Sequence, residues 1–476
     1  MAEASREPRK YKLKESQIEK MIYKLSCIGY RGFATKQSLK LAVPNGKPGS
    51  GLTVLVGPNG GGKSTLVECF NQIALAKKNA SFSKGKRNLK AGDSVEISIE
   101  GSEGTGVLKT TKGGSETQWD GPTPPKIYYL PSRRFFNPYF SMNRWERSTF
   151  LSNPTTFQTR TNSLDSCTHR LIDLNKSGSE QFDALFCKIL GKPFQWTIDQ
   201  DDNGLYFVKV TKQNGLYHNS DGLGEGILSL MFIVDALCGN NDEFLVIDEP
   251  ELSLHPQLQR RLLDVILEKT KDSQVVISTH SPSMLSLESI VNDGMVARVF
   301  ESEEGTKICM LDEVSRDFIN STSHNLNNPH ILGTDAKACF FAEDGLIITE
   351  GQEDVVLYPV IMNNLELAYS IPFFGFGAGG ASGINSIAHL LHVLGFKRVG
   401  AIYDGDKRPD YEKFCKDFDG VGYKAWIIPA EDIRDKAPYQ APAKQGLLED
   451  DRKTLKPAYA DSLTAIFAEM QKYLGL

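Results

Sequence analysis

The stretch LTVLVGPNGGGKSTLVECF, residues 52–70, decides the fold of this chain. It contains the complete G-x-x-x-x-G-K-[ST] spacing, set between an apolar strand-like run and a helical pattern. Glycines let backbone N–H groups wrap phosphates, the helix N-terminus adds positive potential, and the lysine and the hydroxyl meet the phosphates and Mg²⁺. Because strand and helix stand in the required places, a chance glycine-rich turn is the weaker interpretation. We therefore predict that a nucleotide is bound by Gly57, Pro58, Asn59, Gly60, Gly61, Gly62, Lys63, Ser64 and Thr65.

A second strand-like run, EFLVIDEPELSLHP (residues 243–256), ends on two acids. Asp248 is expected at the C-terminal edge of the sheet, where it can complete a Mg²⁺ shell together with Ser64. Glu249 follows directly and is the natural general base for an attacking water. An ordinary helix cap is the alternative, and Pro250 with the LSLHP segment after it makes that alternative the weaker one.

A third run, QVVISTHSP (residues 274–282), ends on His280. A helix-length segment separates it from the second run, so the two strands are expected to be neighbours in a parallel sheet. His280 would then face the γ-phosphate, although a histidine in isolation is more often structural.

Length and composition describe an ordinary globular chain of 476 residues, 40% apolar and 24% charged, long enough for two or three domains. The net charge of −5 gives no bulk basic field, so any surface for nucleic acid must be local. The basic run at residues 77–90 is one candidate, although such runs are usually solvated loops. The polar N-terminus, the absence of a long apolar run and the cysteines without a C-x-x-C pair predict a cytoplasmic protein with no membrane contact.

A second acidic pattern lies in the C-terminal part of the chain. LIITEGQEDVVLY (residues 346–358) and FKRVGAIYDGDKRPDY (residues 396–411) each run from an apolar strand into carboxylates. The C-terminal ends of parallel strands meet in one crevice, where clustered carboxylates repel unless a divalent cation neutralises them. Oxygen ligands select Mg²⁺ or Mn²⁺, although an acidic loop without metal remains open. The predicted metal ligands are Glu350, Asp354, Asp404 and Asp406.

The segment YKAWIIPAEDIRDK (residues 423–436) repeats this strand-then-acid pattern and adds cations. Lys436 or Arg434 could lie near a scissile phosphate, while a salt-bridged first helical turn is an equal alternative. The glycine-rich stretch FFGFGAGGASGINSIAHLL (residues 373–391) predicts a flexible loop approaching phosphate or metal, followed by a helix.

The three N-terminal motifs, in this order, resemble the ABC-type ATPases, in particular the soluble repair and defence members of the RecF, SMC and OLD kind. The resemblance implies a signature loop that crosses a dimer interface to bind the nucleotide of the other subunit. The best candidate is SDGLGEGILSL, with Ser220, Gly224 and Glu225, but Gly222 stands where that family has serine. No clear glutamine marks the usual Q-loop, and Arg133 or Arg134 in YYLPSRRFF could serve the phosphates instead.

The pairing of E-G-x-x-D with D-x-D resembles the Toprim domain of topoisomerases, primases and OLD nucleases. That resemblance implies metal-dependent phosphodiester chemistry at Glu350, with Lys436 similar to the essential lysine of OLD-type domains. We predict an α/β chain in which an ABC-type P-loop ATPase domain with a helical and β insertion precedes a smaller Toprim-like parallel α/β domain. The predicted bounds are 22–320 for the ATPase domain with its insertion at about 75–215, 321–338 for a linker, 339–446 for the Toprim-like domain and 447–476 for a helical tail.

The order of the two domains resembles the OLD-family nucleases (overcoming lysogenization defect), including effectors of bacterial antiphage systems and retrons. It implies ATP and Mg²⁺ as cofactors, with Mn²⁺ an option at the second site, and ATP hydrolysis by Glu249 with His280 that gates cleavage of nucleic acid. DNA is favoured over RNA as substrate, and a homodimer or higher homo-oligomer with a companion protein is expected. An ATP-driven repair clamp without nuclease activity and a ribonuclease acting on tRNA remain open.

Overall fold

The computed structural model describes residues 20–78, 80–111, 114–132, 180–200, 202, 206–211, 217–218, 223–239, 243–323, 334–367, 370–436 and 443–476. The strands are β1 (Ile22–Ile28), β2 (Gln37–Lys40), β3 (Leu52–Val56), β4 (Glu96–Gly101), β5 (Gly104–Thr110), β6 (Thr117–Asp120), β7 (Ile127–Leu130), β8 (Gln195–Gln200), β9 (Tyr206–Thr211), β10 (Tyr217–His218), β11 (Phe244–Asp248), β12 (Val275–Ser278), β13 (Met295–Ser302), β14 (Gly305–Met310), β15 (Leu346–Ile348), β16 (Val399–Tyr403) and β17 (Lys424–Ile427). The α-helices are α1 (Lys63–Ala74), α2 (Glu180–Leu190), α3 (Glu225–Leu237), α4 (Pro256–Lys269), α5 (Leu287–Val291), α6 (Glu313–Ser323), α7 (Thr334–Ala338), α8 (Gln352–Asn364), α9 (Ala381–Val393), α10 (Arg408–Asp417) and α11 (Ala460–Leu474).

The first domain is built on a six-stranded sheet with the order β14-β13-β3-β12-β11-β7. Its neighbours pair in parallel except β14, which runs antiparallel to β13 at the edge. The strands β3, β11 and β12 are buried along their whole length, as their unbroken apolar runs require when helices cover both faces. The prediction that β11 and β12 are neighbours is confirmed, with Asp248 in register with Ser278. This is the ABC-type P-loop ATPase fold that the sequence predicts.

Strands of the predicted insertion take part in two further sheets, one of which also includes β1 and β2. The predicted antiparallel segment is confirmed, because β4 and β5 pair in a five-stranded sheet of order β2-β1-β4-β5-β6. Helix α2 falls in the predicted helical region and is followed by the three-stranded sheet β10-β9-β8. Residues 133–179 of the insertion lie outside the described residues.

The second domain is a small parallel α/β unit around a three-stranded sheet of order β15-β16-β17. Helix α8 follows β15, α9 leads into β16, and α10 connects β16 to β17. The C-terminal helix α11 buries Leu463, Phe467 and Met470 in the same hydrophobic cluster as Trp426 of β17. Since the strands are parallel, their carboxyl ends lie at one edge of this sheet.

Arg298 of β13 lies where the two sheets' regions meet, beside a hydrophobic cluster that both share. Its side chain is buried, and its guanidinium donates to the carbonyls of Ala342 at 2.9 Å and Leu394 at 3.2 Å in the second domain. The same group lies between two rings, 4.6 Å from the centroid of Phe300 and 3.9 Å from that of Phe396. Arg298 is in register with Val56, the last residue of β3 before the glycine-rich loop. The second domain is therefore docked on the strand that neighbours the phosphate-binding strand.

Replacing Arg298 with methionine should destabilise the contact between the domains by about 3 kcal/mol, because two carbonyls lose their buried donor while the apolar stem is retained. Scanning calorimetry should then record a melting transition several degrees lower, or a transition split in two. Arg298→Lys should recover only part of the lost stability, because an ammonium group lacks the planar guanidinium whose two nitrogens donate to the two carbonyls. Arg408→Met, on an exposed side chain of α10, is the control, and equal melting of both methionine variants would contradict the assignment.

Candidate functional sites

The phosphate-binding loop between β3 and α1 is shaped by glycines. Gly62 takes a φ of +101° directly before α1, a conformation that L side chains avoid. A Cβ added at Gly57 or Gly61 would lie 2.3 or 2.4 Å from the carbonyl oxygen of Val299, so the loop rests directly on β13. Lys63 Nζ donates to the carbonyls of Gly57 and Pro58, both at 2.9 Å. Burial lowers the pKa of Lys63 to about 8, and the nearby Glu249 and Asp248 oppose that fall.

Asp248 and Ser64 lie side by side at the C-terminal edge of the sheet. Ser64 Oγ is 3.4 Å from Asp248 Oδ1, and the hydroxyl of Ser278 donates to the same carboxylate oxygen. Burial raises the pKa of Asp248, and the nearby Glu249 adds to the effect. A hydroxyl and a buried carboxylate beside a phosphate-binding loop are donors that fit Mg²⁺.

Glu249 and His280 meet at the same edge. His280 Nε2 lies 3.5 Å from Glu249 Oε1, and the hydroxyl of Ser132 donates to Glu249 Oε2 at 3.1 Å. Glu249 has a φ of +51°, a strained backbone conformation of the kind found at functional positions. Its N–H donates to the carbonyl of Ser278 at 2.9 Å, which ties this turn to β12. The Glu249 carboxylate is thus held by residues that follow β7 and β12, the two strands on either side of β11. A base that orients water requires such a fixed position.

The predicted signature residues Gly224 and Glu225 lie at the start of α3. Both are exposed, and Ser253 Oγ donates to Glu225 Oε2 at 3.3 Å. Ser253 follows Glu249 closely in the loop that leaves β11, so this exposed surface adjoins the turn that carries Glu249. Ser220, Arg133 and Arg134 lie outside the described residues. Contact of this loop with the nucleotide of another subunit stays a prediction.

The carboxylates of the second domain converge at the edge of its sheet. Strands β15 and β16 pair in parallel, and Glu350 Oε1 accepts a hydrogen bond from the Asp404 N–H at 3.1 Å. Asp354 Oδ2 accepts from the N–H of Gly351 at 2.9 Å, which turns this side chain back towards the strand end. The structure therefore brings Asp404 close to Glu350 and Asp354, although it follows Glu350 by 54 residues.

Burial dominates the electrostatics of this edge. It raises the pKa of Glu350 to about 7, and that of Asp404 to about 8, and repulsion from Asp354 adds to both shifts. Burial likewise raises the pKa of Asp354 to about 6. Buried oxygen donors that repel one another in this way are the donor set that a hard divalent cation neutralises.

Asp406, the fourth predicted ligand, is paired with a lysine. Lys444 Nζ lies 2.5 Å from Asp406 Oδ2 and 3.6 Å from Asp432 Oδ2. Across the part of the chain that the structure describes, no three carboxylate, imidazole or thiol groups form a ready-made metal cage. A cation held by Asp406 together with Glu350 and Asp404 therefore requires Asp406 to turn away from Lys444.

Lys436 pairs with the buried carboxylate of Asp432, which lies on the same segment after β17. The lysine is near enough to Asp354 and Asp404 to oppose the rise in pKa of both. The alternative of a salt-bridged helical turn holds only in part. Asp432 and Lys436 form isolated bridges with Gly446 and Lys444 instead of a helical turn, but the salt bridge between them is present. A catalytic role for Lys436 stays a prediction.

Sequence reasoning missed three contacts. Arg31 lies 3.5 Å from Thr65 Oγ1 and 2.8 Å from Glu68 on α1, but its loop carries no motif. Ser132, which contacts Glu249, directly precedes Arg133 and Arg134, the two arginines predicted to serve the phosphates. Lys444 follows no strand or motif, and only the fold brings it to Asp406.

Two family models of AAA-type ATPase domains match parts of this chain. The family described as "AAA domain, putative AbiEii toxin, Type IV TA system" matches residues 115–286, and another described as "AAA domain" matches residues 24–188. Septu protein PtuA of Bacillus thuringiensis is 24% identical over 275 residues, 50% of this chain and 68% of that protein. An OLD nuclease of Thermus scotoductus is 28% identical over 213 residues, 42% of this chain and 39% of the nuclease.

Other likenesses are shorter or weaker. An uncharacterised protein of Methanocaldococcus jannaschii is 34% identical over 70 residues, 15% of this chain and 18% of that protein. The SMC head domain of Thermotoga maritima aligns with a TM-score of 0.37 at 13% identity, covering 61% of this chain and 99% of that structure. Among the described helices, none has the length and apolar character that crossing a membrane takes.

Proposed function

We propose that this protein is an ATP-hydrolysing, metal-dependent nuclease of the OLD type that acts in antiphage defence. The observation that carries the proposal is the meeting of Glu350, Asp354 and Asp404 at a buried sheet edge in a chain that also has a complete P-loop site. The partial likeness to an OLD nuclease supports the nuclease half. The defence role rests on the resemblance of the domain order to OLD-family effectors.

In the ATPase site, the loop N–H groups and Lys63 bind the phosphates, and Ser64 with Asp248 would hold Mg²⁺, which neutralises charge on the phosphates when bound. Glu249 accepts a proton from the attacking water, and His280 orients its carboxylate. The exposed Gly224 and Glu225 would meet the nucleotide of a second copy, so the active ATPase is a homodimer or a higher homo-oligomer.

In the second site, Glu350, Asp354, Asp404 and Asp406 would hold Mg²⁺ or Mn²⁺, which supplies Lewis-acid activation of the phosphodiester when bound. Lys436 and Lys444, which flank these acids, are positioned to attract and neutralise the phosphate. Release of Lys444 from Asp406 when a phosphate arrives would free that carboxylate as a ligand.

One observation favours a second candidate, an ATP-driven DNA clamp without nuclease activity. The ion pairs of Asp406 with Lys444 and of Asp432 with Lys436 neutralise part of the acidic edge without a metal. In such a protein the acids would serve only to hold the second domain together.

Incubation of the purified protein with substrates separates these functions. Supercoiled DNA, single-stranded DNA and tRNA are each combined with no metal, Mg²⁺ or Mn²⁺, and with no nucleotide, ATP or a non-hydrolysable analogue. We expect metal-dependent nicking of supercoiled DNA that changes with the nucleotide. Cleavage of tRNA alone would identify a ribonuclease, and DNA-stimulated ATP hydrolysis without any cleavage would identify a clamp.

A further inference from the structure

A groove of about 320 Å³ opens beside the carboxylate edge of the second domain. Apolar and charged side chains line it together. They include Val356, Leu357, Phe376, Glu353, Arg434 and Arg452. Val356 is 57% exposed and Phe376 is 40% exposed, so two large apolar side chains face solvent in the same groove. Glu353, which lines the groove, directly precedes the proposed metal ligand Asp354 on α8.

Phe376 is held in this position by the glycine-rich loop. Gly377 has a φ of +85°, and a Cβ there would lie 2.7 Å from backbone atoms of Gly351, so the loop packs directly on the turn after β15. The N–H groups of Ala378 and Gly380 donate to the carbonyls of Thr349 and Glu350 at 2.9 and 2.8 Å. The loop that presents Phe376 is therefore fixed to the turn that carries Glu350.

Two guanidinium groups face one carboxylate in the groove. Arg434 is bidentate to Glu353, with Nε and Nη2 each 2.9 Å from a carboxylate oxygen. Arg452 is the second guanidinium that lines this groove. Arg434 is thus fixed in place by Glu353, and the guanidinium of Arg452 is the group that suits a phosphate.

We propose that this groove is a subsite for one unpaired nucleotide next to the bond that is cut, with its base stacked on Phe376 and its phosphate facing Arg452. An exposed aromatic ring beside guanidinium groups is the combination that binds single-stranded nucleic acid. A base inside a duplex has both faces covered, so a duplex must open to fill the groove. The inference rests on the proposed nuclease function, because it identifies the strand next to Glu350 as the ligand.

Binding measured without metal tests the subsite apart from cleavage. Fluorescence anisotropy of the full chain in EDTA follows labelled oligo-dT, oligo-U and a duplex of equal length. Phe376→Ala should weaken binding to the single strands about tenfold, whereas Phe376→Trp should retain it. Arg452→Ala should weaken binding and reduce the slope of log affinity against log salt by about one. Val314→Ala, at an exposed apolar side chain on α6, is the control that should bind as wild type.

Several results would overturn the subsite. They are unchanged single-strand binding by Phe376→Ala, an equal loss on the duplex, or no binding of single strands by the wild type. A second copy of the chain is the rival occupant of the groove, so a fall in mass by light scattering on Phe376→Ala also overturns it. Weak binding by Phe376→Ala together with no cleavage by the wild type would leave the subsite standing and refute the nuclease. Normal cleavage by the wild type, together with unchanged single-strand binding by Phe376→Ala, would refute the subsite and leave the nuclease function standing.

Discussion

Glu350→Gln should reduce metal-dependent nicking of supercoiled DNA by about a thousandfold, equivalent to about 4 kcal/mol of transition-state stabilisation. The amide keeps the size of the side chain and an oxygen that can accept from the Asp404 N–H, so the strand ends stay in place. It removes the negative charge that a cation and the phosphodiester chemistry need. ATP hydrolysis should continue, because Glu350 lies on a different sheet from the phosphate-binding loop.

Plasmid relaxation and phosphate release, measured on the same preparation, check both halves of this prediction. Glu412→Gln is the matched control, because it makes the same change on an exposed side chain of α10 in the same domain. Undiminished nicking by Glu350→Gln would refute the assignment of the site. A simultaneous loss of ATP turnover would show instead that the variant disturbs the whole chain.

The ATPase half of the fold could be predicted because its signals are local. The glycine spacing, the preceding strand and the following helix all lie within residues 52–70, and the rule for parallel connections then places β11 beside β12. The convergence of Glu350 with Asp404 followed from the same rule. Each of these inferences needs only that strand ends meet at one edge.

The partners of those residues could not be predicted, because they depend on where distant segments fold. Lys444 reaches Asp406 from a segment with no periodic pattern. Its ammonium group neutralises part of the negative charge at the acidic edge. Arg298 reads in sequence as one charge in an apolar strand, yet it is buried between two domains. The segment after β17 has a helical charge pattern, but bridges to residues 444–446 hold it extended. Tertiary contacts decide the position of Lys444, the burial of Arg298 and the extended backbone after β17.

Glu249→Gln should lower the rate of ATP hydrolysis by a factor of about 10²–10⁴, the usual contribution of a general base. The amide oxygen can still accept a hydrogen bond from Ser132, and the amide NH₂ can donate to a neutral His280 imidazole, so the turn keeps its shape. It cannot take the proton of the attacking water. ATP binding should persist, since Lys63, Ser64 and Asp248 are untouched. Phosphate release measures the rate, and equilibrium binding of a fluorescent ATP analogue measures the affinity.

The same variant tests the signature loop. With ATP trapped, Gly224 and Glu225 of one copy should contact the nucleotide of the other, so light scattering should record a dimer that depends on ATP. Glu268→Gln, on an exposed side chain of α4, should hydrolyse ATP as wild type does. Hydrolysis by Glu249→Gln at the wild-type rate would show that another residue is the base. Glu251 would be the first to test, because its side chain is buried and its Oε1 accepts from the His280 N–H at 2.6 Å. A dimer that ignores ATP would refute the shared nucleotide site while leaving the role of Glu249 intact.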